Sequence, residues 1–349
     1  MSERARTMMA AFLDKPGHLY LEQVPVPECG EEQVLIRVRE VGICGSDLHY
    51  YKEGRVGDNV VRAPHILGHE CSGVVVQAGS RAGDLAPGDR VTVEPGLPCL
   101  ACPRCLEGRY NLCPQVRFLG APPNPGAFRE LLAHDARFVY RLPDSVSFTQ
   151  GALVEPLAVA HNAVTRAGVR PGDTVMVVGS GAIGFSCQEM ALASGASRVL
   201  ASDVQDGRLA TAARLGATPI NARTEQVSAR VAELTGGRLC DCVFEASGSE
   251  AGIADALRAV RKGGRVALIG LGLAEARLPY AEILKKEASV YGVYRYANDY
   301  RPVLDLLAAG RLKAETWVSH RFPLSDIVRA LDMAADPGVA KLKMMITME

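Results

Sequence analysis

The sequence lacks any excess of charge of one sign and any long apolar run. Lys and Arg together number 39, as do Asp and Glu, so the formal net charge at pH 7 is +0. A balanced charge provides no broad basic surface for nucleic acid or anionic membranes, and we expect neither as a partner. No segment approaches the roughly 18 consecutive apolar residues of a transmembrane helix. The apolar run at residues 8–13 stops at Asp14, too short for a signal peptide, so we expect a cytoplasmic protein.

Aromatic residues are also scarce, at 5% of the chain with a single tryptophan, while hydrophobic residues overall reach 48%. This composition is typical of a globular protein with aliphatic cores. The sequence contains no internal repeat and no low-complexity tract. A length of 349 residues exceeds an ordinary domain of about 150 residues and predicts two domains.

The first part of the chain, to about residue 155, is rich in glycine and proline. It contains short β-type runs at residues 34–39, 73–76 and 90–93, the last preceded by a Gly-Asp turn. This pattern predicts an irregular β-rich domain with long loops, and long loops in compact domains are commonly functional.

The character of the sequence changes after residue 155. Residues 174–178 form a continuous apolar run, as expected for a strand buried on both faces, and a helical stretch follows at 182–194. Further predicted elements alternate, with strands at 198–202, 217–221, 242–246, 265–269 and 289–293 and a helix at 206–215. Alternation of this kind predicts a parallel, doubly wound α/β sheet. From about residue 296, one helix at 300–309 and short β-like pieces predict a return to the first domain.

A glycine-rich turn follows the buried strand directly. Gly179, Gly181 and Gly184 form a G-x-G-x-x-G pattern at the opening of a helix, where the glycines permit a tight turn, backbone approach to a pyrophosphate, and close packing of helix and strand. Asp203 ends the next strand, and a carboxylate there can accept the ribose hydroxyls and repel a 2′-phosphate. This pattern favours NAD. Arg208, which could bind adenine or a phosphate, leaves NADP as the alternative.

Sulfur, imidazole and carboxylate groups cluster in two short segments of the first half. Cys44, His69 and Glu70 are good ligands for Zn²⁺, and a catalytic site uses three protein ligands with one open position. Glu155 is a further acidic candidate that could ligate directly or hold the metal-bound water. Singly, a buried cysteine or a hydrogen-bonded histidine would be an ordinary structural residue. Together they predict a catalytic zinc site.

Ten cysteines in a long chain without an export signal indicate free thiols or metal ligands rather than disulfides. Four of them fall close together, at Cys99, Cys102, Cys105 and Cys113. Four thiolates without a vacant position form a closed tetrahedral site, which suits a structural zinc. A redox Cys-x-x-Cys pair and an iron–sulfur cluster are the alternatives. The other cysteines lack ligand spacing, so we interpret them as packing residues.

The segments 42–49 (Gly-Ile-Cys-Gly-Ser-Asp-Leu-His) and 68–70 (Gly-His-Glu) resemble the zinc-binding signature of the medium-chain dehydrogenases. The similarity extends over nearly the whole chain. It implies a GroES-like, β-rich catalytic domain (1–155 and 296–349) around an inserted Rossmann domain (156–295), an active site in the cleft between them, NAD, and two zinc ions per chain, one catalytic and one structural.

The resemblance also implies a route for the alcohol proton. Ser46, two residues after the first metal thiolate, matches the family's proton relay, and His49 could carry the proton on to solvent. A solvent-facing His49 without a role is the alternative. Zinc would lower the pKa of the bound hydroxyl, and hydride would pass to the nicotinamide.

Residues 50–57, 110–112 and 293–296, together with Phe118, are similar to the polyol (sorbitol) dehydrogenase branch. The branch implies that Tyr50, Glu155, Arg295 and Tyr296 face the substrate, and we expect Phe118 there too. Phenols, a guanidinium and a carboxylate can bond several hydroxyls of a polyol such as sorbitol or xylitol, giving a ketose. Because Arg295 could instead pair with a carboxylate, an aldonate or threonine dehydrogenase is the alternative.

We further expect cofactor contacts from residues around the glycine turn and the later strands, namely Ile183, Gly270, Leu271, Val293 and Tyr294. The family resemblance also implies a homo-tetramer, with a dimer as the alternative. A nucleotide-binding relative without catalysis is the alternative of another class, although such relatives typically lose zinc ligands and this sequence keeps them.

Overall fold

The computed structural model describes residues 7–273, 275–336, 338–339 and 341–348. The chain forms two compact units. The first contains the described residues up to Glu155, Tyr300–Ala308 and those from Val318 onward, and the second contains Pro156–Asp299 and Ala309–Trp317. Within the described part, no helix is both long enough and apolar enough to cross a bilayer.

The first unit is β-rich, with short helices, as the glycine- and proline-rich sequence predicts. Its strands up to residue 141 are β1 (Thr7–Lys15), β2 (His18–Pro25), β3 (Gln33–Gly42), β4 (Arg55–Val56), β5 (Asn59–Val60), β6 (Glu70–Ala78), β7 (Arg90–Val93), β8 (Gly96–Leu97), β9 (Arg117–Phe118), β10 (Leu131–Asp135) and β11 (Val139–Arg141). Its first helices are α1 (Gly45–Glu53) and α2 (Pro103–Leu106).

A long helix, α3 (Phe148–Ala167), follows these strands and carries Pro156 in its interior. The division between the two units falls inside this helix. Sequence analysis predicted no helix here. Proline normally interrupts helices, because it lacks an N–H donor and its ring collides with the preceding turn.

The second unit is a parallel sheet alternating with helices, which confirms the predicted doubly wound α/β fold. Its strands are β12 (Thr174–Val178), β13 (Arg198–Asp203), β14 (Thr218–Asn221), β15 (Cys240–Glu245), β16 (Val260–Leu268) and β17 (Ser289–Gly292). Its helices are α4 (Ala182–Ala193), α5 (Asp206–Arg214), α6 (Val227–Leu234), α7 (Glu250–Ala259) and α8 (Tyr280–Lys286). The strand order is β14-β13-β12-β15-β16-β17. Successive strands are added on one side of β12 and then, from β15, on its other side. Sheets of this kind bind nucleotides at the point where the order reverses.

The last part of the chain returns to the first unit through α9 (Tyr300–Ala308), β18 (Val318–Pro323), α10 (Ile327–Ala335) and β19 (Lys343–Thr347). The prediction of a single helix in this segment was wrong, since α10 is a second one. Its buried residues Ile327, Ala330, Leu331 and Ala334 recur at helical spacing.

The main sheet of the first unit has the order β11-β7-β6-β3-β19-β18, with β10 also paired to β3. In β3 the exposed Arg37 lies between the buried Ile36 and Val38, so one face of the strand packs into the core. Strand β3 lies between β6 and β19, and its Gly42 is paired with Glu70 on one side and with Met345 on the other. This pairing brings the C-terminal strand next to one of the candidate metal ligands.

Candidate active site and nucleotide site

Cys44, His69 and Glu70, the candidate ligands of the catalytic metal, lie together in the first unit. Cys44 precedes α1, and Glu70 begins β6. One ligand atom from each residue lies within 4.8 Å of the other two. Thiolate, imidazole and carboxylate at such separations are a donor set that fits zinc.

Asp47 connects the two segments that carry the candidate ligands. One carboxylate oxygen accepts the N–H of Cys44 at 2.9 Å, and the other accepts the N–H of Gly68 at 3.1 Å. The latter oxygen also lies 3.8 Å from Nδ1 of His69. Because Asp47 is only 1% exposed, these contacts fix the loop positions on which the geometry of the candidate ligands depends.

Acidic groups surround His69. Burial disfavours a charged His69, yet Cys44, Asp47 and Glu155 together raise the pKa of this imidazole to about 10. Glu155 is buried in α3 and acts on His69 electrostatically. Its predicted role, ligating the metal or holding a metal-bound water, stays a prediction. A cluster that stabilises a proton this strongly would also stabilise a divalent cation, since both neutralise the same buried charge.

Lys343 is a functional candidate that sequence analysis missed. It is 3% exposed, its Nζ forms an ion pair with Glu70, and it donates a hydrogen bond to the carbonyl of Ile43 at 3.0 Å. Burial lowers the pKa of this ammonium, but Glu70, Cys44 and Glu155 outweigh burial and raise it. A Cβ on Gly42 would overlap Glu70 and approach Cε of Lys343 to 2.8 Å. Glycine is therefore required here for the ion pair to form.

The remaining site candidates of the first unit lie around this cluster. The ring of Phe118 packs against the imidazole of His69, with 5.4 Å between centroids. Tyr50 is buried on α1. Ser46 is half-buried on the same helix, and Nδ1 of His49 lies 3.0 Å from the carboxylate of Glu53. No hydrogen bond described in the structure joins Ser46 to His49, so the proposed relay needs a water or a substrate group between them.

The four clustered cysteines also converge. The sulfur of Cys105 lies 3.9 Å from that of Cys99 and 3.5 Å from that of Cys102, and all four ligand atoms lie within 4.8 Å of one another. The N–H groups of Ala101 and Cys102 lower the pKa of Cys99 to about 6, whereas desolvation and the neighbouring sulfurs raise that of Cys105 to about 12. Four thiolates cannot share this space without a cation, and the closed sulfur set fits structural zinc.

The glycine turn lies where the sequence placed it, between β12 and α4 of the second unit. Gly179 has φ +91°, and a Cβ there would lie 2.8 Å from the N–H nitrogen of Ser247, while a Cβ on Gly184 would overlap the carbonyl of Gly179. By contrast, a Cβ on Gly181 would meet nothing within 4 Å. The turn is thus closely packed at its first and third glycines and open at the second, as a pyrophosphate requires.

Asp203 ends β13 beside this turn. Its carboxylate accepts the N–H of Ser180 at 2.8 Å and that of Gln205 at 2.9 Å, and a guanidinium nitrogen of Arg208 lies 3.6 Å away. A carboxylate has about four acceptor positions. Two therefore remain after the backbone contacts, which fits recognition of a ribose diol.

The other predicted cofactor and substrate residues belong to the second unit too. Leu271 and Tyr294 are exposed, Ile183, Gly270 and Val293 are half-buried, and Tyr296 is buried. Arg295 has a left-handed backbone, with φ 52°, and its carbonyl accepts a hydrogen bond from the Asn162 side chain at 2.7 Å. This conformation is uncommon for a residue with a side chain and accompanies functional sites in many proteins.

Comparison with known proteins gives a consistent result. Residues 30–144 match the model of the alcohol dehydrogenase GroES-like domain, and residues 182–309 match that of the zinc-binding dehydrogenases. The chain is 39% identical over 343 residues to a sorbitol dehydrogenase of Bacillus subtilis, covering 98% of this chain and 97% of that protein. It is 41% identical over 333 residues to a D-xylulose reductase of Morganella morganii, covering 95% and 98%.

Among solved structures, the fold is similar to that of an oxidoreductase of unknown specificity from Escherichia coli. The TM-score is 0.95 with 35% sequence identity, and the match covers 99% of this chain and 100% of the other. The sequence and structural similarities therefore extend over both units.

Proposed function

We propose that this chain, which belongs to the family of zinc-binding alcohol dehydrogenases, oxidises a polyol at a secondary hydroxyl to a ketose. NAD is the hydride acceptor in this proposal. The observation that carries the proposal is the convergence of Cys44, His69 and Glu70 within 4.8 Å. In this proposal residues 1–155 and 296–349 form the GroES-like catalytic domain and residues 156–295 form the Rossmann domain. The structure differs from these bounds in grouping residues 296–299 and 309–317 with the second unit.

Cys44, His69 and Glu70 would hold the catalytic zinc, and Glu155 would replace Glu70 or orient a water molecule. When bound, the metal supplies a Lewis acid that lowers the pKa of an alcohol hydroxyl. Asp47 fixes the ligand-bearing loops, and Lys343 balances the buried negative charge. Ser46 accepts the alcohol proton and His49 passes it to solvent, with Glu53 orienting the imidazole.

The glycine turn would hold NAD, which would supply the hydride acceptor. The open approach at Gly181 admits the pyrophosphate to the N-terminus of α4, and Asp203 accepts the ribose hydroxyls. Ile183, Gly270, Leu271, Val293 and Tyr294 complete the proposed cofactor contacts.

Replacing Asp203 with Asn is expected to weaken discrimination against NADP. The variant keeps an acceptor for the N–H of Ser180 but removes the charge that would repel a 2′-phosphate. A charge-assisted hydrogen bond contributes about 1.5–3 kcal/mol, so kcat/KM with NAD should fall by roughly 10- to 100-fold. The measurement is kcat/KM with each cofactor, and Asp305→Asn on an exposed part of α9 is the control. An unchanged cofactor ratio would refute the assignment of Asp203.

For the substrate we propose an alditol of the sorbitol or xylitol class, contacted by Tyr50, Phe118, Glu155, Arg295 and Tyr296. Phenol, guanidinium and carboxylate groups form hydrogen bonds with several hydroxyls of an alditol, whereas a simple apolar alcohol offers only one, and this difference favours the alditol. The relatives named sorbitol dehydrogenase and D-xylulose reductase support this class.

The test is initial-rate NADH formation with sorbitol, xylitol, ribitol, galactitol, 2,3-butanediol, L-idonate and L-threonine. Preference for an alditol is the expected result. A strict requirement for a substrate carboxylate would reassign Arg295 as a carboxylate-binding residue and would overturn the polyol proposal.

We also propose that the protein acts as a homo-tetramer. Strand β17 forms one edge of the sheet of the second unit, and its Val290 is exposed (38%). In the segment that precedes β17 in the sequence, Leu278 (45%) and Leu284 (59%) are exposed too. An exposed apolar edge strand favours pairing with a second copy.

Sedimentation velocity of Val290→Lys should therefore show a smaller assembly than the wild type, because a charge is placed in the proposed contact. Val328→Lys changes a valine of similar exposure (37%) on α10 and is the control. A monomeric wild type at micromolar concentration would contradict the proposal.

A further inference from the structure

A separate cavity of about 130 Å³ lies in the first unit among β8, β9 and β10. Its wall combines apolar side chains with polar ones and two arginines. The apolar side chains include Leu97 and Leu119, the polar ones are Asn124 and His134, and the arginines are Arg117 and Arg129. None of the described residues that line it carries a carboxylate. A water molecule occupies about 30 Å³ in the liquid, so the cavity has room for several waters or for one small ion.

Arg129 is the unusual member of this wall. It is 8% exposed, and its Nε is buried without a hydrogen-bond partner. Within the described residues its guanidinium neither donates a hydrogen bond nor forms an ion pair. Burial lowers the pKa of Arg129 to about 10, which still leaves it charged at neutral pH. An unpaired buried charge is among the most unfavourable features of a folded protein, so a compensating anion is expected.

The neighbouring groups do not provide that compensation. Nε2 of His134 faces the carbonyl of Glu94 at 3.0 Å, so it carries the proton, and burial lowers the pKa of this imidazole to about 4. The Glu94 carboxylate accepts the hydroxyls of Tyr110 and Tyr140, each at 2.8 Å. Arg117 is exposed at the rim and adds a second positive charge.

We propose that this cavity binds a small oxyanion of the phosphate or sulfate class, held by the guanidinium groups of Arg129 and Arg117. A planar guanidinium presents paired N–H donors that match the oxygens of such an ion. The oxyanion neutralises Arg129 in place and links β9 to the segment that precedes β10. Because β9 also carries Phe118, which packs against His69, occupancy stabilises the strand next to the candidate zinc ligands.

The test is thermal unfolding of zinc-loaded, full-length protein titrated with sodium sulfate or with glycerol phosphate, against sodium chloride at equal ionic strength. A saturable rise in Tm with either oxyanion, absent with chloride, is expected. Equal responses to sulfate and to glycerol phosphate show that a free oxyanion is sufficient for binding. A response to glycerol phosphate alone identifies a phosphate ester as the ligand.

Two variants make this result specific. Arg129→Met should abolish the response, and its Tm without oxyanion should equal or exceed that of the wild type, because an unpaired charge has been removed. Arg117→Gln changes an exposed residue and should weaken binding roughly 10-fold while leaving the fold intact. Arg37→Gln, exposed on β3, is the charge-matched control. The proposal is overturned by the absence of a saturable response in the wild type, or by equal responses in Arg117→Gln and the wild type.

Discussion

Replacing Lys343 with Met is expected to destabilise the zinc-depleted protein by roughly 3–5 kcal/mol, the usual cost of removing one partner of a buried ion pair. Lys343 and Glu70 are 3% and 1% exposed, and their ion pair lies in the middle of the main sheet. Without the ammonium, the Glu70 carboxylate remains buried beside Cys44 and Glu155 and loses its ion-pair partner. The measurement is chemical denaturation of the zinc-depleted protein.

The same experiment distinguishes lost charge balance from lost packing. The double variant Glu70→Gln/Lys343→Met removes both charges and should recover most of the stability lost by Lys343→Met alone. Lys15→Met, which removes an exposed lysine, should be close to neutral. If the double variant were as unstable as Lys343→Met, Lys343 would contribute through packing and our account of this ion pair would be wrong.

Cys105→Ser is expected to reduce the zinc content from two ions per chain to about one and to lower the Tm markedly. Structural zinc in small peptides contributes roughly 10–16 kcal/mol of apparent binding free energy, and this energy is coupled to folding. Cys105 lies within 3.9 Å of two other cysteine sulfurs, so its loss opens a site whose other ligands are soft thiolates. Metal analysis by mass spectrometry and thermal unfolding are the two measurements.

Cys29→Ser is the matched control for that variant. Cys29 is half-buried and makes only weak contacts to backbone carbonyls, so its replacement should leave the zinc content unchanged. Retention of two zinc ions by Cys105→Ser would show that this cysteine is not a ligand. It would then favour the redox alternative for the Cys-x-x-Cys pairs.

The parts of the site that sequence analysis predicted are those encoded by local spacing. The glycine turn, Asp203 and the cysteine cluster each lie within a short segment whose residue types imply their chemistry, and the structure places them in the expected strand–turn–helix and closed-cluster geometry. The doubly wound sheet was predictable because β12 is a continuous apolar run and the later strands alternate with helices along the chain.

The features that sequence analysis missed depend on contacts between distant segments. Lys343 is significant only because β19 pairs with β3 and β3 pairs with β6, which brings it to Glu70. Arg129 resembles any other arginine until the fold buries it without a partner. Helix α3 was missed because Pro156 lies inside it. The apolar spacing in α10 was visible in the sequence and was overlooked.

The most direct test of the proposed function starts from protein from which the metal of the Cys44–His69–Glu70 site has been removed. Zinc is then added back, and NADH formation from xylitol is measured. Our account predicts little activity in the depleted protein and recovery in proportion to the zinc bound at this site, with no recovery in His69→Gln. Full activity without zinc, or recovery in the His69 variant equal to that of the wild type, would contradict the central claim.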